Sequence, residues 1–341
     1  MAPVLLYTSA ESGQHDTGPG HPERGERMPA VDRAIGAAHL EDLVERRQGR
    51  SAPRSDLERV HDPRYLDSLE DFIGAGGGDL DPDTHVSAGS WDAALVASGS
   101  GLLAVEALDR GEAEAAFVAV RPPGHHATRS RAMGFCLINN VAVTAAALAE
   151  RGERVVIVDW DVHHGNGTQD LFWDDPRVLY ISTHEWPAYP GTGRAQDTGG
   201  AAAAGLTVNV PLPPGATGDV ARLAFDDLIT PAVERFDPTW VLVSAGYDAH
   251  RDDPLASLAW SAGDYADLTR EVMRWAPRPG RVIAYLEGGY DLTALGVSSA
   301  ATVAALAGAD YRPEASTSGG PGREIVAAVG VQRRRSLEEW L

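Results

Sequence analysis

Asp159, Asp161 and His163 stand two residues apart at the end of an apolar run, in the segment 155–164 that reads Val-Val-Ile-Val-Asp-Trp-Asp-Val-His-His. In extended backbone, side chains two apart share a face, so all three point the same way. Asp161 and His163 then offer one oxygen and one nitrogen to a divalent metal such as zinc. Three more apolar runs end in similar chemistry. Phe117-Val-Ala-Val enters Arg121-Pro-Pro-Gly-His-His126, Trp240-Val-Leu-Val enters Ser-Ala-Gly-Tyr-Asp248, and Val282-Ile-Ala-Tyr-Leu enters Glu287-Gly-Gly-Tyr290. Asp248 would complete a set of three protein ligands, leaving coordination positions open for water and a substrate carbonyl, as catalytic sites do. Such a metal polarises a carbonyl and lowers the pKa of water. The tandem His125 and His126 can serve as general base and as acid or electrostatic aid. The Tyr290 phenol can donate to a developing oxyanion, an interaction typically worth about 3 kcal/mol. Together these groups describe hydrolysis of a carbonyl derivative such as an amide.

Groups so scattered along a chain need a scaffold that gathers them. Parallel strands joined by helices through right-handed crossovers bring their carboxyl ends to one sheet edge, where open α/β sheets bind ligands. The pattern predicts a strand at 4–7, a helix over about 24–45, a short helix opening at His61-Asp-Pro with Pro63 in its first turn, and an amphipathic helix over 92–110. Strands at 117–120, 155–159, 178–182, 240–244 and 282–286 then alternate with helices at 140–151, 219–236, 263–275 and 293–307, the signature of a parallel-sheet α/β fold. Composition marks 74–78, 199–205 and 316–322 as loops. A single domain is expected over 1–341, with 312–322 a flexible connection to a closing helix at 324–341.

At 341 residues and 43% hydrophobic content the chain can bury one large α/β core, and no segment reads as an apolar membrane span. The N-terminus lacks the basic start and long apolar core of a secretory signal, and the lone Cys136 rules out an internal disulfide, so a soluble cytoplasmic protein is expected. Cys136 itself reads as a small buried hydrophobe. The net charge is -20 and all 29 basic residues are arginine. That charge argues against a nucleic-acid partner and suits a solubility surface or attraction of cationic substrates.

Arg-Pro-Pro-Gly-His-His-Ala (121–127), Gly-Phe-Cys-Leu-Ile-Asn-Asn (134–140), Asp-Trp-Asp-Val-His-His-Gly-Asn-Gly-Thr-Gln (159–169) and Glu-Gly-Gly-Tyr-Asp-Leu (287–292) resemble the histone deacetylase superfamily. Their wording is most similar to class II and to bacterial deacetylase-like amidohydrolases. The resemblance spans residues 15–310 or so, from His21-Pro-Glu-Arg-Gly-Glu-Arg27 onward. It implies an arginase/deacetylase fold, a three-layer α/β/α arrangement around a mostly parallel sheet of eight or so strands. It implies one zinc ion held by Asp161, His163 and Asp248, acid–base work shared by His125 and His126, and stabilisation of the intermediate by Tyr290. By the same resemblance Asp159 orients His125 and, with the backbone carbonyls of Asp161 and His163 and with Ser182, holds a structural potassium ion. Asn166 stands where some members carry aspartate, so His126 should be less basic than in a His–Asp pair. Phe135 and Tyr189 match the aromatics lining a narrow acyl-lysine tunnel, Gly134, Leu255 and Asp83 join the substrate-binding set, and Arg27 matches an arginine in an internal channel behind the metal.

The implied substrate is an acylated lysine peptide or a small acylated amine. Polyamine-selective relatives place a glutamate after the Asp-Pro that follows the third ligand, whereas Asp253-Pro254 here leads into Leu255. The short segment 185–193 also argues against the long inserted loop by which bacterial acetylpolyamine enzymes dimerise, although oligomerisation is left open. A binuclear manganese hydrolase of arginase type is disfavoured by the His pair and Tyr290. A non-catalytic binder of acylated amines is disfavoured because no ligand or tyrosine is missing. The mixed oxygen and nitrogen ligands would also accept iron(II) or cobalt.

Overall fold

A strand without a polar face must be covered on both sides, and the β-branched run Val155–Asp159 is buried end to end inside a sheet. The computed structural model describes residues 4–338. Eight strands form that sheet: β1 (Val4–Thr8), β2 (Val44–Gln48), β3 (Ala115–Val118), β4 (Val155–Asp159), β5 (Val178–Glu185), β6 (Thr207–Leu212), β7 (Trp240–Ala245) and β8 (Val282–Leu286). Their order is β2-β1-β3-β8-β7-β4-β5-β6, and every neighbouring pair is parallel. The four strands whose ends carry the reactive groups, β3, β8, β7 and β4, are therefore adjacent.

Helices cover both faces. Arg27–Ala37, Ala262–Trp275 and Leu292–Leu306 pack on one side with Val156, Val158, Trp160 and Val162. Pro63–Gly74, Ser90–Asp109 and Asn140–Glu150 pack on the other with Val155 and Ile157. The period-two alternation of the strand thus continues past Asp159, leaving Asp161 and His163 on the side opposite Trp160 and Val162. Helix Pro63–Gly74 begins as expected, with Asp62 accepting from the Arg64 amide at 2.8 Å and Pro63 in the first turn.

Several expectations need correction. The helix over 24–45 is only Arg27–Ala37; a 3-10 turn at Glu41–Leu43 follows, then β2. His39 sits at φ 55, a left-handed backbone that ends the helix. Strand β6 was not expected, and helix 219–236 is broken by a π-turn at Phe225–Ile229. Helix Ser90–Asp109 is buried nearly all round rather than amphipathic, because it is enclosed between the sheet and outer helices. It is long and apolar enough to cross a membrane by length and composition, contrary to the expectation, but it forms part of the packed core. The 312–322 connection is tethered rather than loose: Glu314 accepts from the Ala262 amide at 2.8 Å and pairs with His250 at 2.8 Å, and Thr317 Oγ1 donates to Asp264 at 2.7 Å. The closing helix runs Arg323–Glu338.

Buried His61 joins two loops that lead to the site. Its Nε2 accepts from the Asn139 amide at 3.0 Å and its Nδ1 donates to the Thr128 carbonyl at 2.9 Å, an arrangement that requires the neutral ring. Burial pushes its pKa down to about 4. An unfolded histidine titrates near 6.5, so between those values the unfolded chain binds the extra proton and stability falls as pH drops. The difference in unfolding free energy between wild type and His61→Gln should shrink by a few kcal/mol from pH 7.5 to pH 4.5 in urea titrations. Parallel pH profiles for the two proteins would show that His61 is not the titrating group.

Candidate active site

Every reactive group lies on the turn that follows a strand. Asp161 and His163 lie past β4 and Asp248 past β7, and their ligating atoms are within 4.8 Å of one another. His163 Nδ1 is 3.2 Å from Asp161 Oδ1 and 3.1 Å from Asp248 Oδ2. Both carboxylates are fully buried and held by the main chain: Gly288 N donates to Asp161 Oδ2 at 2.8 Å, and Val162 N to Asp248 Oδ1 at 2.9 Å. Burial, reinforced by the charge of Asp161, pushes the Asp248 carboxyl up to about 7. Two crowded buried carboxylates and an imidazole are a donor set that suits one divalent cation and is strained without positive charge. Gly288 is required here, since a Cβ would lie 2.1 Å from Asp248 Oδ2.

The two histidines after β3 have opposite surroundings. His125 Nδ1 is 3.0 Å from Asp159 Oδ2, which also accepts from the Tyr180 hydroxyl at 3.1 Å. Burial opposes a charge on His125, but the carboxylates of Asp161 and Asp159 prevail and lift its pKa to about 10. His126 Nδ1 is 2.8 Å from Asn166 Oδ1. Burial, with the neighbouring positive His125 and His163, pushes His126 well below the ordinary histidine value. With Nδ1–H donated to the amide oxygen, Nε2 of His126 remains an acceptor.

Tyr290 is carried by a turn fastened from behind. Arg27 donates from Nε to the Gly289 carbonyl at 2.8 Å and from Nη2 to the Glu287 carbonyl at 2.5 Å, and its guanidinium lies 5.2 Å from the centre of the Tyr290 ring. Arg27 is fully buried and paired with Glu23 at 3.0 Å, so it braces the turn instead of lining the open cavity. Asp253 accepts from the Tyr290 amide at 2.6 Å and from the Asp291 amide at 3.2 Å.

A cavity of about 210 Å³ is lined by Asp83, His126, Gly134, Phe135, His163, Tyr189, Leu255 and Tyr290. All five residues expected to bind substrate (Phe135, Tyr189, Gly134, Leu255 and Asp83) are thus brought together around the reactive groups. Tyr189 and Leu255 form the exposed rim, at 39% and 41%. Phe135 lies edge-on to Tyr290, ring centres 5.7 Å apart, on a backbone at φ 67. Gly134 before it has φ 56, and a Cβ there would lie 2.4 Å from the His126 ring. Ser182 is the cross-strand neighbour of Asp159, and its hydroxyl is 2.9 Å from His184 Nδ1.

Three acids had no role assigned from the sequence: Glu23, Asp253 and Glu287. Glu287 is fully buried; one carboxylate oxygen accepts from the amides of Gly124 at 2.7 Å and His125 at 3.2 Å, and the other from the Ser244 hydroxyl at 3.1 Å. It therefore ties the Tyr290 turn to the His125 turn. The signal was available, since an acid closing a wholly apolar strand must find partners. Glu287→Ala should lower kcat by roughly tenfold to a hundredfold with bound metal retained, and Glu287→Gln, which keeps an acceptor for both amides, should restore most of it. Equal losses in the two variants would show that charge, not hydrogen bonding, is what matters there.

With this geometry in view, comparison with known proteins defines the class. Residues 21–306 match the family described as Histone deacetylase domain, and the chain belongs to that family of hydrolases. It is 41% identical over 304 residues to a probable deacetylase of Archaeoglobus fulgidus, covering 87% of this chain and 84% of that protein. It is 38% identical to a histone deacetylase-like amidohydrolase of Pseudomonas aeruginosa, covering 80% and 73%. The crystal structure of the HDA15 HD domain superposes with a TM-score of 0.89 at 32% identity over 99% of this chain and 98% of that one. The expected α/β/α arginase/deacetylase fold with its eight-stranded sheet is thereby established.

Proposed function

We propose that this protein is a zinc-dependent deacylase that hydrolyses the amide of an acyl-lysine side chain or of a related N-acyl aminoalkyl compound. The observation that carries the reading is that His126, His163 and Tyr290 meet Phe135 and Tyr189 around one narrow cavity. The residues for zinc are Asp161, His163 and Asp248, and when bound it would polarise the substrate carbonyl and acidify water. Phe135 and Tyr189 would flank the extended methylene chain and exclude solvent. His126 would take the proton of the attacking water at Nε2, since Nδ1 is engaged by Asn166. His125, paired through Nδ1 with Asp159, would assist the leaving amine, and the Tyr290 hydroxyl would donate to the carbonyl oxygen as it gains charge.

Potassium is assigned in the same reading to Asp159, Ser182 and the main-chain carbonyls of Asp161 and His163. Support comes from those two carbonyls, which accept no hydrogen bond from the described residues, and from the buried charge of Asp159 beside them.

His126→Ala should lower kcat by roughly a hundredfold to ten-thousandfold, and His125→Ala by less. Near-normal turnover in His126→Ala with inactive His125→Ala would reverse the roles. The substrate class is tested by assaying the zinc-loaded protein in parallel on acetyl-lysine peptides, longer acyl-lysine peptides and acetylpolyamines. Hydrolysis of acyl-lysine peptides is expected, with acetylpolyamines poorer because Leu255 supplies no anion at the rim. Turnover of acetylpolyamines alone would overturn the assignment.

A further inference from the structure

At the amino edge of the sheet, opposite the catalytic edge, the segments entering β4, β5 and β6 meet helix Thr230–Phe236 and the closing helix Arg323–Glu338 around a second cavity, of about 470 Å³. That volume is within the roughly 300–1,000 Å³ typical of small-molecule sites. Arg154, Arg235, Arg333 and Arg334 line it, with Asp227 the one carboxylate among its lining residues. The concentration of positive charge is unusual in a chain of net charge -20.

Only Arg154 of the four is spent on an ion pair among the described residues. Arg154 is engaged by Asp237, at 2.6 Å to the carboxylate and 2.7 Å to the carbonyl. Among the described residues, Arg235 and Arg333 have no carboxylate within ion-pair distance, whereas most arginines of the chain do. Arg333 reaches inward, donating to the carbonyls of Gly205 and Thr207. Burial, together with the like charge of Arg235, pulls its pKa down to about 10. A partly desolvated cation beside another cation is unfavourable unless an anion neutralises both.

We infer that this cavity binds a compact oligophosphate, either free or as the phosphate chain of a nucleotide. Guanidinium forks match phosphate oxygens bidentately, and several of them together favour a multivalent anion over a single carboxylate. Leu206, Leu228, Pro231 and Phe236 supply an apolar wall on which an organic group would rest.

The test is calorimetric titration of the zinc-loaded enzyme with pyrophosphate, ADP and laurate, repeated with the Arg235→Glu/Arg334→Glu double variant. Both residues are exposed and far from the catalytic edge, so deacylase turnover should be unchanged. Saturable binding of pyrophosphate or ADP, weakened at least tenfold in the double variant and by added salt, is expected. Tighter binding of ADP than of pyrophosphate would identify the nucleotide; equal binding would identify the phosphate chain alone. Absence of oligophosphate binding, binding that survives the double substitution, or binding of laurate alone would each overturn the inference.

Discussion

On the proposed reading, Asp161→Ala should leave the protein without stoichiometric zinc and lower turnover by more than about a thousandfold, since a catalytic metal contributes several kcal/mol of transition-state stabilisation. Asp161 cannot be replaced from nearby. Its second oxygen is committed to the Gly288 amide, and Asp248 is already held by Val162. Losing one of two carboxylates also leaves His163 with a single anionic neighbour at 3.1 Å. Because the alanine also releases the Gly288 amide, Asp161→Asn serves as a companion that keeps an acceptor while removing the charge. Both variants should retain the wild-type circular dichroism, because the surrounding strands are packed independently of this side chain. Elemental analysis giving full zinc occupancy in Asp161→Ala would refute the ligand assignment.

Tyr290→Phe should reduce kcat by roughly a hundredfold to a thousandfold while KM stays within about twofold, the pattern of a donor needed mainly in the transition state. The substitution isolates the hydroxyl. The ring keeps its place under Arg27 and against Phe135, and the Asp253 carboxylate still holds the turn through the main chain. Burial pushes the phenol well above its ordinary pKa, so the proton to be donated is present throughout the neutral range. A raised KM with unchanged kcat, measured on a fluorogenic acetyl-lysine substrate, would make Tyr290 a binding residue.

The parts of the fold most legible in the sequence are those where burial leaves one solution. Strands β4 and β8 are legible to the residue because an uninterrupted apolar run, four residues before Asp159 in β4 and five in β8, admits no exposed face. The two strands of the eight-stranded sheet that the pattern does not mark, β2 and β6, are its edges. Val-Glu-Arg-Arg-Gln has four polar residues in five, and Thr-Val-Asn-Val-Pro-Leu carries a proline that only an edge tolerates. The candidate site followed the same logic. Its reactive groups stand immediately after the readable strands, so topology alone brought them together. Glu287 shares that regularity, but the other two acids that brace the site do not. Glu23 meets Arg121, and Asp253 meets the Tyr290 amide, only after the chain has folded across long separations.

The left-handed backbone of Phe135 bears on how the cavity distinguishes its ligands. A non-glycine residue in that region carries a conformational cost of order 1–3 kcal/mol, borne during folding rather than at binding. Thr84 accepts the Phe135 amide at 3.1 Å, and His21 abuts its ring edge-on at 4.8 Å, so the aromatic wall is rigid before any ligand arrives. Little ordering entropy is then left to lose on the Phe135 side, and affinity depends on how closely a chain matches that preformed wall. Branching next to the scissile amide should therefore be penalised more steeply than chain length beyond the rim, where Tyr189 and Leu255 face solvent.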